Sequence, residues 1–407
     1  MVQKLKKLMR GFLLMVSLAA VLFLLLIRRG RSKRVLLLAQ HIHVGGTSSY
    51  FRALCSYFTE RGYEVQFLLR RREFTPEISS FLKQFPHSWH FVDHELDHIE
   101  YWYDRKHILR FYFLNDFLKQ ALILGRLVLK SRSSMLFVSN AYPGDLFPAF
   151  LLPMQIRFVI HSMPWGRLDR GNRYLLEKMI RFFPRHVRFT TVSAFAKNRI
   201  LEHWKVKGLQ DQITYLYNFS PLGNEAHYYP ARSHKYVTVL TAGSVIDTKN
   251  PSLWIRVAVA LIERHPGLSF VWAGDGKELN ECRSRVSGLP GITFMGKADD
   301  MTSMYNQADI YFQPSKWESQ GLAVLEAMSF GLPCVVTSNG GTAEMVADGV
   351  TGMVSEPDDE EGYTRQLEKL ITDPATRQDM GKRAFHRYRQ EFSVERWYAR
   401  MDELIQV

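Results

Sequence analysis

The sequence predicts an α/β protein with two doubly wound, parallel-sheet domains behind an N-terminal apolar segment. A strand, glycine turn, helix and strand pattern opens near residue 34, which is typical of a Rossmann-like domain. A second alternation of strands and helices follows the polar, proline-containing stretch 219–234. The length of 407 residues allows two cores, and 46% hydrophobic content indicates a folded chain.

The N-terminal segment is predicted to be a membrane anchor over residues 1–33. Gly11 to Ile27 is a run of 17 uncharged residues, the lower limit for a membrane span. Basic residues flank it on both sides and leave its orientation open. A cleaved signal peptide and a buried core helix remain alternatives, although no small-residue cleavage site follows the run.

The first domain is predicted over residues 34–218. Residues 34–40 read as a buried strand, 41–47 as a glycine turn, and Ser48 as the cap of a helix that ends near Arg61. No G-x-G-x-x-G pattern is present, so NAD binding is not indicated. A long helical region is expected over 104–132. The further strands are expected at 63–69, 135–138, 158–161 and 189–192.

The second domain is predicted over residues 235–390, after a linker at 219–234. A final helix is predicted over 391–407, and packing back on the first domain is one option for it. The strands are expected at 237–240, 268–273, 292–294, 310–313 and 334–337.

Charge and cysteine content exclude some functions. Residues 1–34 hold nine basic residues and no acid, residues 35–234 hold 26 basic and 16 acidic residues, and residues 235–407 hold 18 and 24. The basic half suits an anionic lipid surface; nucleic acid is discounted because the flanks of the apolar segment supply much of the net charge of +13. Three distant cysteines give no disulfide framework or metal spacing and favour a reducing compartment.

The densest motif lies between Ser315 and Glu344. Glu318 and Glu326 are separated by seven residues, and Glu318 stands just before a predicted helix. The backbone amides that follow Glu318 then form a helix N-terminus, where free N–H groups and the positive dipole end favour phosphate or sugar oxygens. These amides belong to Ser319, Gln320, Gly321 and Leu322.

This block resembles the E-x7-E signature of the retaining glycosyltransferases of family 4, which have the GT-B fold. The resemblance covers most of residues 34–407 and is densest over 236–355. Its other landmarks occur in order: Ala242-Gly243, Lys249-Asn250, Gly274-Asp275-Gly276, Phe294-Met295-Gly296, Tyr305, Ala308-Asp309 and Pro314-Ser315.

The resemblance implies a donor site in the second domain. Glu318 would bind hydroxyls of the donor sugar and Glu326 those of the ribose, because one carboxylate can accept from two vicinal hydroxyls. Lys249 would offset the leaving-group charge of the diphosphate. Ser244 stands where the family usually has an arginine, and a hydroxyl cannot neutralise charge. Close backbone approach to the nucleotide is implied for Gly243, Gly274 and Gly276; for Gly274 and Gly276 a plain turn is the alternative.

In the first domain the resemblance implies that Gly45-Gly46 faces the cleft between the domains and that His161 lies close to the transferred sugar. A histidine there could bind a sugar hydroxyl or assist the acceptor. A tight turn without a ligand and a histidine used only for packing remain the alternatives.

The function implied is that of a membrane-associated, retaining glycosyltransferase. It would move a sugar from a nucleotide-sugar donor to a glycan or lipid-linked acceptor in cell-surface polysaccharide or glycolipid synthesis, without a metal or other cofactor. The catalytic body is expected in the cytoplasm, where nucleotide sugars are made. The alternatives are another GT-B-like enzyme, such as a nucleotide-sugar epimerase or a phosphorylase, and a catalytically weak, membrane-tethered sugar-nucleotide-binding protein.

Overall fold

The computed structural model describes residues 2–27, 33–39, 45–70, 76–83, 89–93, 111–139, 149–162, 170–182, 186–220, 222 and 236–406. The chain divides into two compact units. Unit 1 comprises Met1–Val192 and Lys197–Tyr215, and unit 2 comprises Ser193–Ala196 and Leu216–Val407. Of the predicted linker, only residues 219, 220 and 222 lie within the described residues.

Unit 1 contains one parallel sheet of seven strands in the order β3-β2-β1-β4-β5-β6-β7. The elements are α1 (Val2–Ile27), β1 (Arg34–Ala39), α2 (Gly45–Glu60), β2 (Glu64–Arg70), α3 (Pro76–Lys83), β3 (Trp89–Asp93), α4 (Phe111–Ser131), β4 (Met135–Ser139), β5 (Gln155–Ile160), α5 (Arg170–Phe182), β6 (Val187–Thr191), α6 (Ala194–Trp204) and β7 (Ile213–Tyr215). The first three residues of α6 belong to unit 2.

Unit 2 contains a second parallel sheet, of six strands, in the order β10-β9-β8-β11-β12-β13. The elements are β8 (Thr238–Ala242), α7 (Pro251–Arg264), β9 (Ser269–Ala273), α8 (Leu279–Arg285), β10 (Ile292–Gly296), α9 (Met301–Gln307), β11 (Ile310–Gln313), α10 (Leu322–Ser329), β12 (Cys334–Thr337), α11 (Thr342–Met345), β13 (Gly352–Ser355), α12 (Glu360–Thr372), α13 (Pro374–Arg387) and α14 (Val394–Gln406). A π-helical turn, Tyr388–Phe392, precedes α14.

The two doubly wound sheets confirm the predicted fold class. Strand order in both sheets is that of Rossmann-like folds, in which the chain first builds outward in one direction and then reverses. Three strands were not predicted: β3, β7 and β13. Helix α2 begins at Gly45 and not at the predicted Ser48 cap, so Gly45 and Gly46 belong to the helix and the predicted turn is shorter. Residues 41–44 and 104–110 lie outside the described residues.

The N-terminal segment forms α1, which packs against α4 within unit 1. Leu18 and Val21 are 4% and 8% exposed. Gly125 of α4 allows this approach, since a Cβ atom there would lie 2.6 Å from Cγ1 of Val21. Within the part of the chain that the structure describes, no helix has the length and apolar character needed to cross a membrane. The predicted anchor over residues 1–33 is therefore not supported.

Alternation along the strands of unit 2 builds a core on each face of the sheet. Val239, Phe312 and Val335 pack with α7 and α12 on one face. Their neighbours Tyr311 and Val336 pack with α10 and the π-helical turn on the other. Successive strand residues point to opposite faces, and a parallel sheet covered on both sides buries both sets. The second of these faces carries Tyr311 and, two residues on, Gln313.

Candidate donor site in unit 2

The candidate site lies at the carboxyl ends of β8 and β11. These strands are neighbours in the sheet, and the strand order reverses between them. In open α/β sheets ligands bind at such a switch point, because the loops after the two strands leave in opposite directions and open a crevice. The loop after β8 carries Lys249, and the loop after β11 carries Glu318.

The backbone of the loop after β8 packs closely against the backbone of the loop after β9, and glycines make this approach possible. A Cβ atom on Gly274 would lie 1.8 Å from the carbonyl oxygen of Gly243, and one on Gly276 would lie 2.3 Å from that of Val245. Hydrogen bonds from Gly243 N to Ala273 O (3.0 Å) and from Val245 N to Asp275 O (2.9 Å) join the two loops. The three glycines thus have a packing role here, and their contact with a nucleotide stays a prediction.

Lys249 and Glu318 form an ion pair in this crevice. The Lys249 ammonium donates to Glu318 Oε1, and the two side chains are 23% and 10% exposed. The same oxygen accepts from Gln313 Nε2 and, at 2.9 Å, from Ser315 Oγ. Gln313 is oriented in turn by the Tyr311 hydroxyl, which donates to its Oε1 at 2.6 Å. Two neutral donors and one cation therefore fix a single carboxylate oxygen.

The backbone of Glu318 is held by the loop after β12. Glu318 N donates to Asn339 O at 3.2 Å, and Gly341 N donates to Glu318 O at 3.1 Å. A Cβ atom on Gly340 would lie 2.6 Å from the Glu318 carbonyl oxygen, so only glycine allows this approach. The Gly340-Gly341 turn thus positions Glu318.

Helix α10 begins at Leu322, as the sequence predicts. Gly321 precedes it with φ of +93° and supplies no side-chain cap to the first N–H groups. Both polar atoms of the Gln320 side chain bind the protein backbone: its Nε2 donates to Asn218 O and its Oε1 accepts from Asn218 N. Ser319 contributes a carbonyl that accepts from the Ser193 hydroxyl. Any role of Gln320 in donor binding would therefore rest on its backbone.

Glu326 lies in α10, one turn beyond its start. The Tyr305 hydroxyl of α9 donates to Glu326 Oε2 at 2.7 Å. Burial raises the pKa of this carboxyl to about 7, and the Tyr305 hydrogen bond opposes part of that rise. The Glu326 carboxyl therefore changes from neutral to negatively charged near neutral pH.

The two glutamates share one geometric property. In each, protein donors occupy one carboxylate oxygen, Oε1 of Glu318 and Oε2 of Glu326. Among the described residues, neither second oxygen has a hydrogen-bond partner, and neither is an enclosed, unpaired atom. Each carboxylate is thus fixed by the protein through one oxygen and keeps the other without a protein hydrogen bond.

In unit 1, His161 follows β5 directly. Its ring meets the Tyr50 ring of α2 edge to face, with centroids 4.5 Å apart. Burial lowers the pKa of His161 to about 4, so the imidazole is neutral at pH 7. It can then exchange a hydrogen bond with a hydroxyl but carries no positive charge. The catalytic role suggested for His161 and the ligand role suggested for Gly45 and Gly46 stay predictions.

The described residues hold no group of three or more His, Cys, Asp or Glu side chains that could bind a metal ion. Sequence reasoning missed Gln313 as a site residue and identified Tyr305 only as a landmark. A signal existed for Gln313, because an amide at the end of an apolar strand such as Ile310-Tyr-Phe-Gln313 must find a polar partner. None existed for the pairing of Tyr305 with Glu326, which are 21 residues apart.

Comparison with known sequences supports a family assignment over part of the chain. Residues 229–387 match the family model of glycosyl transferases group 1. Sulfoquinovosyl transferase SQD2 from Arabidopsis thaliana is 32% identical over 135 residues, which are 32% of this chain and 26% of that protein. The UDP-Gal:alpha-D-GlcNAc-diphosphoundecaprenol alpha-1,3-galactosyltransferase of Escherichia coli is 28% identical over 137 residues, 32% and 35% of the two chains. The matched regions thus cover only 26% and 35% of the lengths of these two relatives.

Comparison with solved structures covers both units. A glycosyltransferase from Rickettsia africae superposes with a TM-score of 0.75 at 14% identity, covering 92% of this chain and 98% of that one. Anabaena HepE, solved with UDP and glucose, superposes with a TM-score of 0.68 at 15% identity, covering 92% and 99%. These likenesses show the fold alone. Residues 229–387 thus match glycosyl transferases group 1, and the two Rossmann-like units have the fold of solved GT-B glycosyltransferases.

Proposed function

We propose that the protein is a retaining glycosyltransferase of family 4 that transfers a sugar from a nucleotide-sugar donor to a hydroxyl of a glycan or lipid-linked acceptor. The observation that carries this proposal is the pair Glu318 and Glu326, each fixed through one oxygen, while the other oxygen has no hydrogen-bond partner among the described residues. Their position at the switch point of the second sheet suits a nucleotide. The name of the Escherichia coli relative, which includes a lipid-linked acceptor, supports the same substrate classes.

In this proposal Glu318 accepts from hydroxyls of the transferred sugar and Glu326 from those of the ribose. The uncapped amides at the start of α10 bind the diphosphate, because N–H groups at a helix N-terminus favour anions. Lys249 must exchange Glu318 for the diphosphate when the donor enters. It then stabilises the charge that grows on the leaving diphosphate as the glycosidic bond breaks.

Transfer with retention follows from same-face attack. The acceptor oxygen approaches the anomeric carbon from the side that the diphosphate leaves, and the diphosphate oxygen takes the acceptor proton. Neutral His161 would hydrogen-bond the sugar or the acceptor. Since Ser244 is exposed and uncharged where the family has an arginine, the proposal assigns more of the leaving-group stabilisation to Lys249 and the helix amides.

The test is an assay of donor hydrolysis and transfer over a panel of nucleotide sugars, with the product identified by mass and by anomeric configuration. A transferase releases the nucleoside diphosphate and forms a glycoside of retained configuration. An epimerase would release an altered free sugar without an acceptor, and a phosphorylase would form a sugar phosphate. The control is Glu326→Ala, which should release nucleotide more slowly at low donor concentration because it binds the donor more weakly. Absence of any nucleotide release by the wild type would reject the proposal.

We also propose that unit 1 works against an anionic lipid surface, with α1 lying on it. One face of α1 packs on α4, whereas the other exposes apolar side chains, with Phe12 and Phe23 each 62% exposed. The basic residues of 1–34 match anionic headgroups. Helix α5 adds exposed Tyr174 and Phe182, 56% and 67% exposed.

Flotation with anionic and neutral vesicles tests this proposal. Phe12→Ser with Phe23→Ser should lower binding to anionic vesicles and leave the folded α1–α4 contact intact, because both side chains lie off the packed face. The control Leu289→Ser changes an exposed leucine of unit 2, 40% exposed, and should bind as wild type does. Equal binding of all three proteins would reject the lipid contact.

A further inference from the structure

We propose that Tyr305 is a positioning residue for nucleotide binding: its hydroxyl holds Glu326 so that the second carboxylate oxygen meets the vicinal hydroxyls of the ribose. This inference rests on the proposed function and concerns a residue outside the E-x7-E motif. Tyr305 touches Glu326 and would act on the nucleotide only through that carboxylate.

The position of the hydroxyl is set by the packing of its ring. Tyr305 is fully buried in the core beneath α10. Its ring stacks on Phe330, with centroids 5.4 Å apart and planes at 19°, and lies 6.3 Å from the Tyr311 ring. The hydroxyl therefore has little freedom to move. It reaches Glu326 Oε2 at 2.7 Å and lies 3.4 Å from Ala323 O.

A fixed carboxylate plane matters because two vicinal hydroxyls must be met at once. With Oε2 held by Tyr305, the direction of Oε1 is set before the ligand arrives, and the rotamer entropy of the side chain is lost on folding and not on binding. Without the hydroxyl, the carboxylate can turn about its last torsion, and binding must select one orientation.

The hydroxyl also favours the ionised form of Glu326. Burial raises the pKa of this carboxyl, and the Tyr305 hydrogen bond is the interaction that lowers it. The other titratable groups that face it or its partner are Tyr311 from β11, Cys334 from β12 and Tyr388 from the π-helical turn. Burial raises the pKa of all three, so they are neutral at pH 7 and supply no compensating charge.

The experiment is a calorimetric titration of Tyr305→Phe in the full chain between pH 5.5 and 9. The probe is whichever of UDP, GDP and ADP the wild type binds most tightly. Affinity in the wild type should rise through the pKa of Glu326, because the carboxylate is the better acceptor. In Tyr305→Phe the affinity at pH 7 should fall about tenfold. The midpoint should move up by about one pH unit, so that part of the affinity returns at pH 9.

Three controls isolate the ribose contact. Glu326→Gln reports the titration of the ligand's own phosphates and is subtracted. Inorganic pyrophosphate lacks a ribose and should bind Tyr305→Phe as it binds the wild type. Tyr363→Phe removes a buried hydroxyl from the core on the opposite face of the sheet and should leave nucleotide affinity and its pH profile unchanged.

The outcomes separate this inference from the proposed function. A wild type that binds nucleotide, together with a Tyr305→Phe variant of unchanged affinity and pH profile, overturns the inference alone. An equal loss of nucleotide and pyrophosphate binding in Tyr305→Phe also overturns it, since the damage would then be general. A wild type that binds no nucleoside diphosphate overturns the proposed function and the inference with it.

Discussion

Replacement of Lys249 by alanine should lower turnover far more than it lowers stability or donor affinity. Lys249 has an anionic partner within the protein, Glu318. Donor binding therefore exchanges one anion for another, and the net gain in the ground state is small. Charge on the leaving diphosphate grows only in the transition state, where the ammonium has its largest effect. We expect kcat to fall about 100-fold, equivalent to about 2.7 kcal/mol, with the donor KM changed only severalfold.

The stability cost of Lys249→Ala follows from the contacts that remain. Loss of a charged partner in a buried pair is destabilising by about 3–5 kcal/mol when nothing replaces it. Here Gln313 and Ser315 still donate to the same oxygen of Glu318, and the Lys249 side chain is 23% exposed. We therefore expect a loss of about 1 kcal/mol, which corresponds to a decrease of roughly 2–4 °C in Tm.

Steady-state kinetics with varied donor and thermal unfolding of the same preparations measure both quantities. The control is Lys369→Ala, which removes an exposed lysine from the last turn of α12 and should leave both unchanged. A folded Lys249→Ala protein with the turnover of the wild type would refute the reasoning. A rise in KM alone, at unchanged kcat, would show that Lys249 contributes only ground-state binding.

Three further predictions concern the ionisation of Glu326, the serine at position 244 and the contact with lipid. Burial raises the pKa of Glu326 from 4.5 to about 7, so its protonated form stabilises the fold below pH 4.5 and this stability is lost as pH rises through 7. Glu326→Gln should therefore be more stable than the wild type at pH 8, by up to about 3 kcal/mol in thermal or denaturant unfolding, and nearly equally stable at pH 4.5; a difference independent of pH would contradict this. Ser244→Arg should raise turnover severalfold at unchanged stability, because Ser244 is exposed and an added cation meets the leaving group; unchanged kinetics would argue that the loop does not face a diphosphate. Removal of residues 1–30 should reduce but not abolish sedimentation with anionic vesicles at low salt, because residues 35–234 retain 26 basic against 16 acidic residues; complete loss of sedimentation would exclude a second contact.

The sequence predicts the second sheet well because its strands are short apolar runs between clear boundaries. Ile310–Gln313 and Cys334–Thr337 have the predicted ends. Ala308-Asp309 precedes the first of these strands. Pro333, which cannot continue a helix, directly precedes the second. β13, Gly352–Ser355, has the same length as these two strands, but it was missed because it begins with glycine, which has low strand propensity.

The start of α2 and the partner of α1 were less predictable. The start of α2 at Gly45 contradicts local propensity, which favours Ser48 as a cap and disfavours two glycines in a helix. The apolar run of α1 reads as a membrane span, yet the structure packs one face of it on α4 through Leu18 and Val21. A hydrophobic run alone does not state which of its sides has a protein partner.

The candidate site likewise has local features that the sequence predicts and long-range contacts that it does not. The spacing of Glu318 and Glu326 and the start of α10 could be read from the sequence, because they are local features of one loop and helix. The partners that fix the carboxylates could not, because Lys249 approaches Glu318 from another loop and Tyr305 approaches Glu326 from another helix. Which oxygen of each carboxylate is left for a ligand is decided only by this three-dimensional packing.

The most direct test of the central claim is a calorimetric titration of nucleotide-sugar donors into the full chain and its Glu326→Ala variant at pH 8. We expect that at least one UDP-, GDP- or ADP-sugar binds the wild type with one site per chain. We also expect that Glu326→Ala weakens that binding by about 1–3 kcal/mol through loss of charge-assisted hydrogen bonds to the ribose. No binding by the wild type, or equal affinity of the two proteins for the same donor, would contradict the assignment of unit 2 as a nucleotide-sugar site.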